Sequence, residues 1–236
     1  MLSQLKKYSY MIALGAKYIK IFKRIYQNPF ISLRQKHKAL SKERQNYSNA
    51  VLKLLNIEVI THGDIPKEER LVYAINHRSL LDIITMEHIF SQSDKMGVWI
   101  AKQELFDAFY GDFFKYSGCV SVDLETKRGL VSFFKTIKHL LSKIEDLNIY
   151  IFPEGERNKT DKILPFQGGA VKIAKANNMK IVPVFIDDKL ERVFKNSPYQ
   201  TPYKVHVHFG EIIENPDELE EHYHTLVASV TKEKQA

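Results

Sequence analysis

Leu71-Val72-Tyr73-Ala74-Ile75-Asn76-His77-Arg78-Ser79-Leu80-Leu81-Asp82 passes from a compact apolar run, through a polar turn, into apolar residues at helical spacing. Leu71–Ile75 reads as a strand buried on both faces, since five successive apolar residues leave no face for water. From Ser79 onward, Leu80, Ile83, Ile84 and Ile89 recur at helical intervals. A buried strand that runs directly into a helix is the building unit of a parallel sheet.

The same alternation extends both ways. Ile57–Thr61 is an earlier short strand, broken by His62-Gly63-Asp64. Val98–Ala101, Cys119–Val122, Ile149–Phe152, Ile181–Ile186 and Val205–Phe209 read as further strands. Helices are expected over 37–56, from about Gln103 to Tyr116, over 126–144, over Gly168–Asn177 and after Asn215-Pro216. The expected fold class is therefore α/β: a largely parallel central sheet flanked by helices, with an N-terminal amphipathic helical extension. Functional residues of such sheets gather just beyond the carboxyl ends of strands.

Two segments occupy such places. In the first, His77 and Asp82 are five positions apart and would point about 140° away from each other on one helix. They meet if His77 lies in the turn and Asp82 in the first helical turn. Asp82 then fixes the imidazole tautomer, and the other ring nitrogen serves as a general base. The alternative makes Asp82 an early-turn anion and His77 a loop residue. The second is Phe152-Pro153-Glu154-Gly155-Glu156-Arg157, where Pro153 and Gly155 enforce a turn. Arg157 suits bidentate binding of a phosphate. Glu154 suits a substrate hydroxyl or the orientation of Arg157. A surface Glu–Arg pair explains the segment equally well in isolation.

Charge is unevenly placed. The 236 residues carry a formal net charge of +7. Residues 1–44 hold eleven bases and one acid, 11 − 1 = +10, and residues 45–236 hold 24 bases and 27 acids, 24 − 27 = −3. Residues 2–26 sort at 100° per residue into an apolar arc (Tyr8, Met11, Ile12, Leu14, Tyr18, Phe22) and a basic arc (Lys6, Lys17, Lys20, Lys23, Arg24). Lys7 and Leu5 fall off the pattern. That composition suits a helix lying in an anionic membrane surface; the other reading is a helix packed on the body. The expected division is a basic membrane-docking segment, 1–44, and an α/β domain, 45–236. No nucleic-acid motif accompanies the bases. The bases that resume at Lys17 argue against a secretory signal.

One cysteine, Cys119, excludes an internal disulfide framework and reads as a small core residue. His206 and His208 share one face of a strand and, with His222 and His224, read as solvated. No Cys/His spacing marks a metal site. No G-x-S-x-G elbow, P-loop or dinucleotide glycine pattern occurs, which argues against serine hydrolases, NTPases and dehydrogenases.

Taken together and in order, the two segments resemble the glycerolipid acyltransferase family, especially its 1-acyl-sn-glycerol-3-phosphate acyltransferases. That family carries an N-H-x-x-x-x-D block, an F-P-E-G-x-R block and a V-P-V block. Here these are Asn76–Asp82, Phe152–Arg157 and Val182-Pro183-Val184, the last preceded by Phe166-Gln167-Gly168-Gly169-Ala170. Lys102 matches a position where the family commonly has a lysine near the phosphate. The resemblance covers about residues 55–210. Leu124 stands where the family often has arginine, and Glu156 where it commonly has threonine; Lys127 and Arg128 are the candidates to substitute for the former.

The resemblance implies transfer of an acyl chain from a thioester, acyl-CoA or acyl-ACP (acyl carrier protein), to the free hydroxyl of a lysophospholipid, lysophosphatidate first. It implies His77 and Asp82 as catalytic residues and Glu154, Gly155, Arg157 and Lys102 as substrate-binding ones. Backbone N–H groups at Arg78 and Ser79 are candidates for oxyanion stabilisation or positioning. It implies no cofactor and a location on the cytoplasmic face of the cell membrane. Another acceptor, such as glycerol 3-phosphate, or a catalytically silent membrane adaptor remain as alternatives.

Overall fold

The structure, a computed structural model, describes residues 2–160 and 162–233. Two long helices, α1 (Leu2–Tyr26) and α2 (Leu33–Leu55), lead into β1 (Ile57–His62), β2 (Val72–Ile75), α3 (Leu81–Gln92) and β3 (Gly97–Lys102). The short helices α4 (Gln103–Asp107) and α5 (Gly111–Tyr116) precede β4 (Val120–Val122), α6 (Lys127–Lys143) and β5 (Asn148–Ile151). Then follow α7 (Gly169–Asn177), β6 (Ile181–Ile186), α8 (Leu190–Asn196), β7 (Tyr203–Phe209) and α9 (Leu219–Glu233).

The seven strands form one sheet in the order β1-β7-β6-β2-β5-β3-β4. Its pairs are parallel except β6–β7. β2 lies centrally and sends alternate side chains to opposite faces, as strand geometry requires. Tyr73 and Ile75 join a core with residues of α1, α2, α3 and α8. Val72 and Ala74 join the opposite core with residues of α6 and α7. Each face of the expected strand is thus covered, which is why it reads as unbroken apolar sequence.

All seven expected strands are present. The helix expected over Gln103–Tyr116 is instead two, α4 and α5. Gly111 explains the break: a Cβ there would lie 1.9 Å from the Phe106 carbonyl oxygen, so the chain folds back on itself closely enough to admit only glycine. α8 escaped the periodicity reading because seven residues give barely two turns. The helix α2 starts earlier than expected, at a capping box: Gln35 N–H donates to Ser32 Oγ, and Ser32 N–H donates to Gln35 Oε1.

The leader packs on the body. Leu14, Tyr18 and Phe22 of α1 are buried, and Met11, Ile21 and Ile25 pack against the same core. The expected apolar arc therefore divides: its inner half builds the core, while Tyr8 and Ile12, together with Leu5, stay exposed. Lys7 falls off the amphipathic pattern because it points inward, where its ammonium donates to the carbonyls of Phe194 and Ser197, each at 3.0 Å. The expected boundary at 44/45 falls inside α2, whose buried residues run from His37 to Leu55. Arg44, counted among the leader's bases, is buried and paired with Glu87.

His37 is also buried, and its imidazole pKa is pushed down from 6.5 to about 4, mainly by burial and then by the Arg44 and Lys36 charges. The unfolded chain binds a proton at this site between pH 6.5 and 4, while the fold does not. Stability is therefore complete above pH 6.5 and declines as pH falls toward 4, by at most roughly 3 kcal/mol from this group. Thermal unfolding across that range should show the decline, and His37→Gln should flatten it.

Candidate active site

The site lies at the carboxyl ends of three adjacent strands, β2, β5 and β3. Asn76 fixes the end of β2. Its side-chain amide donates to the Ile186 carbonyl at 2.9 Å and accepts from the Ile186 N–H at 2.7 Å, extending the sheet ladder with a side chain. His77 follows in the turn and Asp82 in the first turn of α3. The two meet: His77 Nδ1 is 2.9 Å from Asp82 Oδ2. Asp82 is buried, while the His77 side chain keeps 14% exposure. The ring therefore reaches solvent with its orienting carboxylate behind it, and Nε2 is the nitrogen left for chemistry.

Asp82 Oδ2 accepts two more hydrogen bonds, from the N–H groups of Arg78 (2.6 Å) and Ser79 (2.8 Å). This corrects the oxyanion expectation for Arg78 and Ser79. Their N–H groups already hold the Asp82 carboxylate, as first-turn donors commonly hold an anion. Both N–H groups fix the position of the Asp82 carboxylate. The Ser79 hydroxyl accepts the Leu81 N–H. The Arg78 guanidinium lies 5.8 Å over the Phe185 ring and donates to the Asp187 carbonyl.

The second segment follows β5. Gly155 has φ +72°, a left-handed conformation that glycine adopts without strain. The resulting turn directs Glu154 inward. Glu154 is buried and spends both oxygens on the protein: Oε1 accepts the His77 N–H at 2.9 Å, and Oε2 accepts Asn158 Nδ2 at 2.8 Å. Asn158 N–H in turn donates to the His77 carbonyl. Glu154 thus ties the two segments together and orients the backbone of His77. Arg157 and Glu156 are exposed at the rim.

Lys102 ends β3, next to β5, and is half-buried. Leu124, Lys127 and Arg128 lie beyond the end of β4, all exposed. The structure brings His77, Asp82, Arg78, Ser79, Glu154 and Gly155 together by direct contact or through the turn. Arg157 and Lys102 share the same edge of the sheet and make no hydrogen bond or ion pair with the pair itself.

Sequence reasoning missed three contributors. Asn158 lies just beyond the quoted segment, four residues from Glu154. Asn76 was quoted as a motif letter without a role. Phe152 was assigned to a strand, yet its ring stacks on the His77 imidazole, with centroids 3.8 Å apart and planes 9° apart.

The other candidates stay outside the site. A cavity of about 830 Å³ runs along β4, lined by Tyr26, His37, Phe106, Cys119 and Phe133 among others. None of the motif residues lines it. The Cys119 thiol is pushed up by burial, which disfavours a thiolate. His206 and His208 are not simply solvated. They stack with His62, at 5.1 and 4.4 Å, and His208 is buried. No group of three His, Cys, Asp or Glu among the described residues is arranged to hold a metal ion.

A histidine–carboxylate pair thus stands at the end of a central strand of a mostly parallel α/β sheet, with the cationic side chains of Arg157 and Lys102 at the same end of the sheet. The Acyltransferase family profile matches residues 56–187, more than half of the chain, and the chain belongs to that family. It is 36% identical over 148 residues to a 1-acyl-sn-glycerol-3-phosphate acyltransferase of Helicobacter pylori, covering 62% of this chain and 59% of the relative. To a protein of the same description from Cocos nucifera it is 27% identical over 178 residues, covering 74% and 56%. The chain thus spans less than two thirds of the length of these relatives. A crystal structure of the 1-acyl-sn-glycerophosphate (LPA) acyltransferase PlsC from Thermotoga maritima superposes with a TM-score of 0.69 at 22% identity, over 98% of this chain and 96% of that one. That likeness establishes the shared fold, the two leader helices included.

Proposed function

We propose that the protein moves a fatty acyl chain from a thioester, acyl-CoA or acyl carrier protein, to the free sn-2 hydroxyl of lysophosphatidate. The product is phosphatidate, for phospholipid synthesis. The observation that carries this reading is the His77–Asp82 contact at 2.9 Å, on an edge of the sheet shared with Arg157 and Lys102. His77 Nε2 takes the proton of the acceptor hydroxyl as its oxygen attacks the thioester carbonyl carbon. Asp82 stabilises the imidazolium so formed. Collapse of the tetrahedral adduct breaks the carbon–sulfur bond, and the proton passes from His77 to the leaving thiolate. Only a proton and an acyl group move, so the step calls for no redox group. Arg157 and Lys102 hold the glycerol phosphate.

The acceptor resides in a bilayer, and the leader supplies the attraction to an anionic one. Lys6, Lys17, Lys20, Lys23 and Arg24 remain exposed beside Leu5, Tyr8 and Ile12. Among the described residues, no helix is long and apolar enough to cross a membrane. The protein in this reading works at the cytoplasmic face of the cell membrane as a peripheral enzyme, held by exposed bases whose attraction weakens with salt.

The test is a panel on anionic vesicles, with lysophosphatidate, glycerol 3-phosphate and other lysolipids each offered with both thioester donors. Phosphatidate from lysophosphatidate is expected, and turnover confined to another acceptor overturns the reading. Leu124, in place of the family's frequent arginine, makes that comparison informative. In the same panel, Arg157→Ala should raise the KM for lysophosphatidate about tenfold with kcat near wild type, because it removes a binding contact.

A further inference from the structure

The hydrogen bond to Asp82 fixes one edge of the His77 ring. By itself it leaves the imidazole free to swing about the Nδ1···Oδ2 direction, which would carry Nε2 through an arc. The face of the ring is held separately, by Phe152 at 3.8 Å. Phe152 rests in turn on Trp99, with centroids 5.2 Å apart and planes 30° apart. Trp99 is the chain's only tryptophan and is almost fully buried. Its indole Nε1–H donates to Glu87 Oε1 at 2.9 Å.

Glu87 is anchored from the far side. Arg44 of α2 donates to the same Oε1 through Nε. Its remaining nitrogens donate to the carbonyls of Ser117 and Gly97, both at 2.6 Å, and to the Ser41 hydroxyl at 2.9 Å. Gly97 opens β3, the strand that carries Trp99. Both the indole and its strand are therefore tied to one guanidinium. A buried ion pair of this kind is a weak source of stability, because desolvating two charges offsets their attraction. Its geometry, by contrast, is closely specified, since every donor of a planar fork must find its acceptor.

We propose that Trp99 is a positioning residue for the catalytic base: held by Glu87 and Arg44, it sets the plane of Phe152 and so the direction of His77 Nε2. Helix α3 then serves the base twice, with Asp82 at the ring's edge and Glu87, five residues on, behind the aromatic wall. Leader helix α2 takes part in shaping the site through Arg44. The proposal rests on His77 acting as the base.

The experiment is a double-mutant cycle on the full chain with vesicle-bound lysophosphatidate, kcat being normalised to folded protein by circular dichroism. Trp99→Phe keeps an aromatic ring and loses the indole N–H. It should lower kcat about tenfold and leave the acceptor KM within about twofold, as a small misplacement of a reacting group does. Phe152→Leu should lower kcat further. In the Phe152→Leu background, Trp99→Phe should change kcat less than about twofold, because the surface through which it acts is gone. A wild-type-like kcat in Trp99→Phe, or equal losses in both backgrounds, overturns the proposal. Should Trp99→Phe fail to fold, Phe152→Leu alone decides: kcat must fall with KM held, and an unchanged kcat overturns it. His77→Ala, run alongside, separates the two claims. Activity that survives it removes the base assignment, whereas an inactive His77→Ala beside a wild-type-like Trp99→Phe removes only the role of Trp99.

Discussion

His77→Ala is expected to lower kcat for acyl transfer by about 10³-fold or more, the magnitude of losing a general base held by a carboxylate. The fold should survive. The ties at this position are made by the backbone, His77 N–H to Glu154 and His77 carbonyl from Asn158 N–H, and alanine keeps both. Lost with the imidazole are the Asp82 hydrogen bond and the Phe152 stack. Asp82 retains the N–H groups of Arg78 and Ser79, so its charge stays satisfied. Thermal melting close to wild type beside negligible product from lysophosphatidate is the expected pair of results. Wild-type-like turnover would sink the mechanism.

Glu154→Ala is expected to damage both fold and activity. It leaves the His77 N–H without its acceptor, at a cost of about 1–3 kcal/mol, and removes one of the two acceptors of Asn158 Nδ2. It also frees the turn that carries the base, so kcat should fall by about 10²-fold. Glu154→Gln should help little. Its oxygen can still accept the His77 N–H, but its amide nitrogen then faces Asn158 Nδ2, donor against donor. Asn158 cannot turn over to accommodate this. Its Nδ2 also donates to the Lys162 carbonyl, and its Oδ1 accepts from Thr160 N–H and Oγ1. Differential scanning calorimetry with the vesicle assay checks the prediction. A Glu154→Gln variant with native stability and rate would show that Glu154 is not the tie between the two segments.

The sheet was legible because its strands are short apolar runs interrupted by helices with clear periodicity. β2 and β6 are buried along their whole length, so neither face carries a polar residue to confuse the reading. The His77–Asp82 pair was legible because both residues lie within one strand–turn–helix unit, where spacing decides contact. What stayed hidden depends on long-range placement. Glu154 reads as a substrate ligand until β5 is known to lie beside β2, with its loop under His77. The leader's helical wheel divides residues into apolar and basic arcs, but it cannot tell a half-arc facing the core from one facing out. Nor can it show that Arg44 turns inward to Glu87, since that pairing joins residues 43 positions apart on two different helices. Where one hydrogen bond engages a group, periodicity cannot report that the group is no longer available; the Arg78 and Ser79 N–H groups are the example.

The clamp between Asn76 and Ile186 has a consequence for motion. With Glu154 and Asn158 on the other side, it holds the turn around His77 from both flanks. Surface turns usually sample many conformations on fast timescales, and a reactive group on such a turn is in place only part of the time. Here the entropy of ordering the turn is surrendered once, when the chain folds, and not again in each catalytic cycle. His77 is carried by a loop in sequence but by something closer to a strand in the number of bonds that hold it.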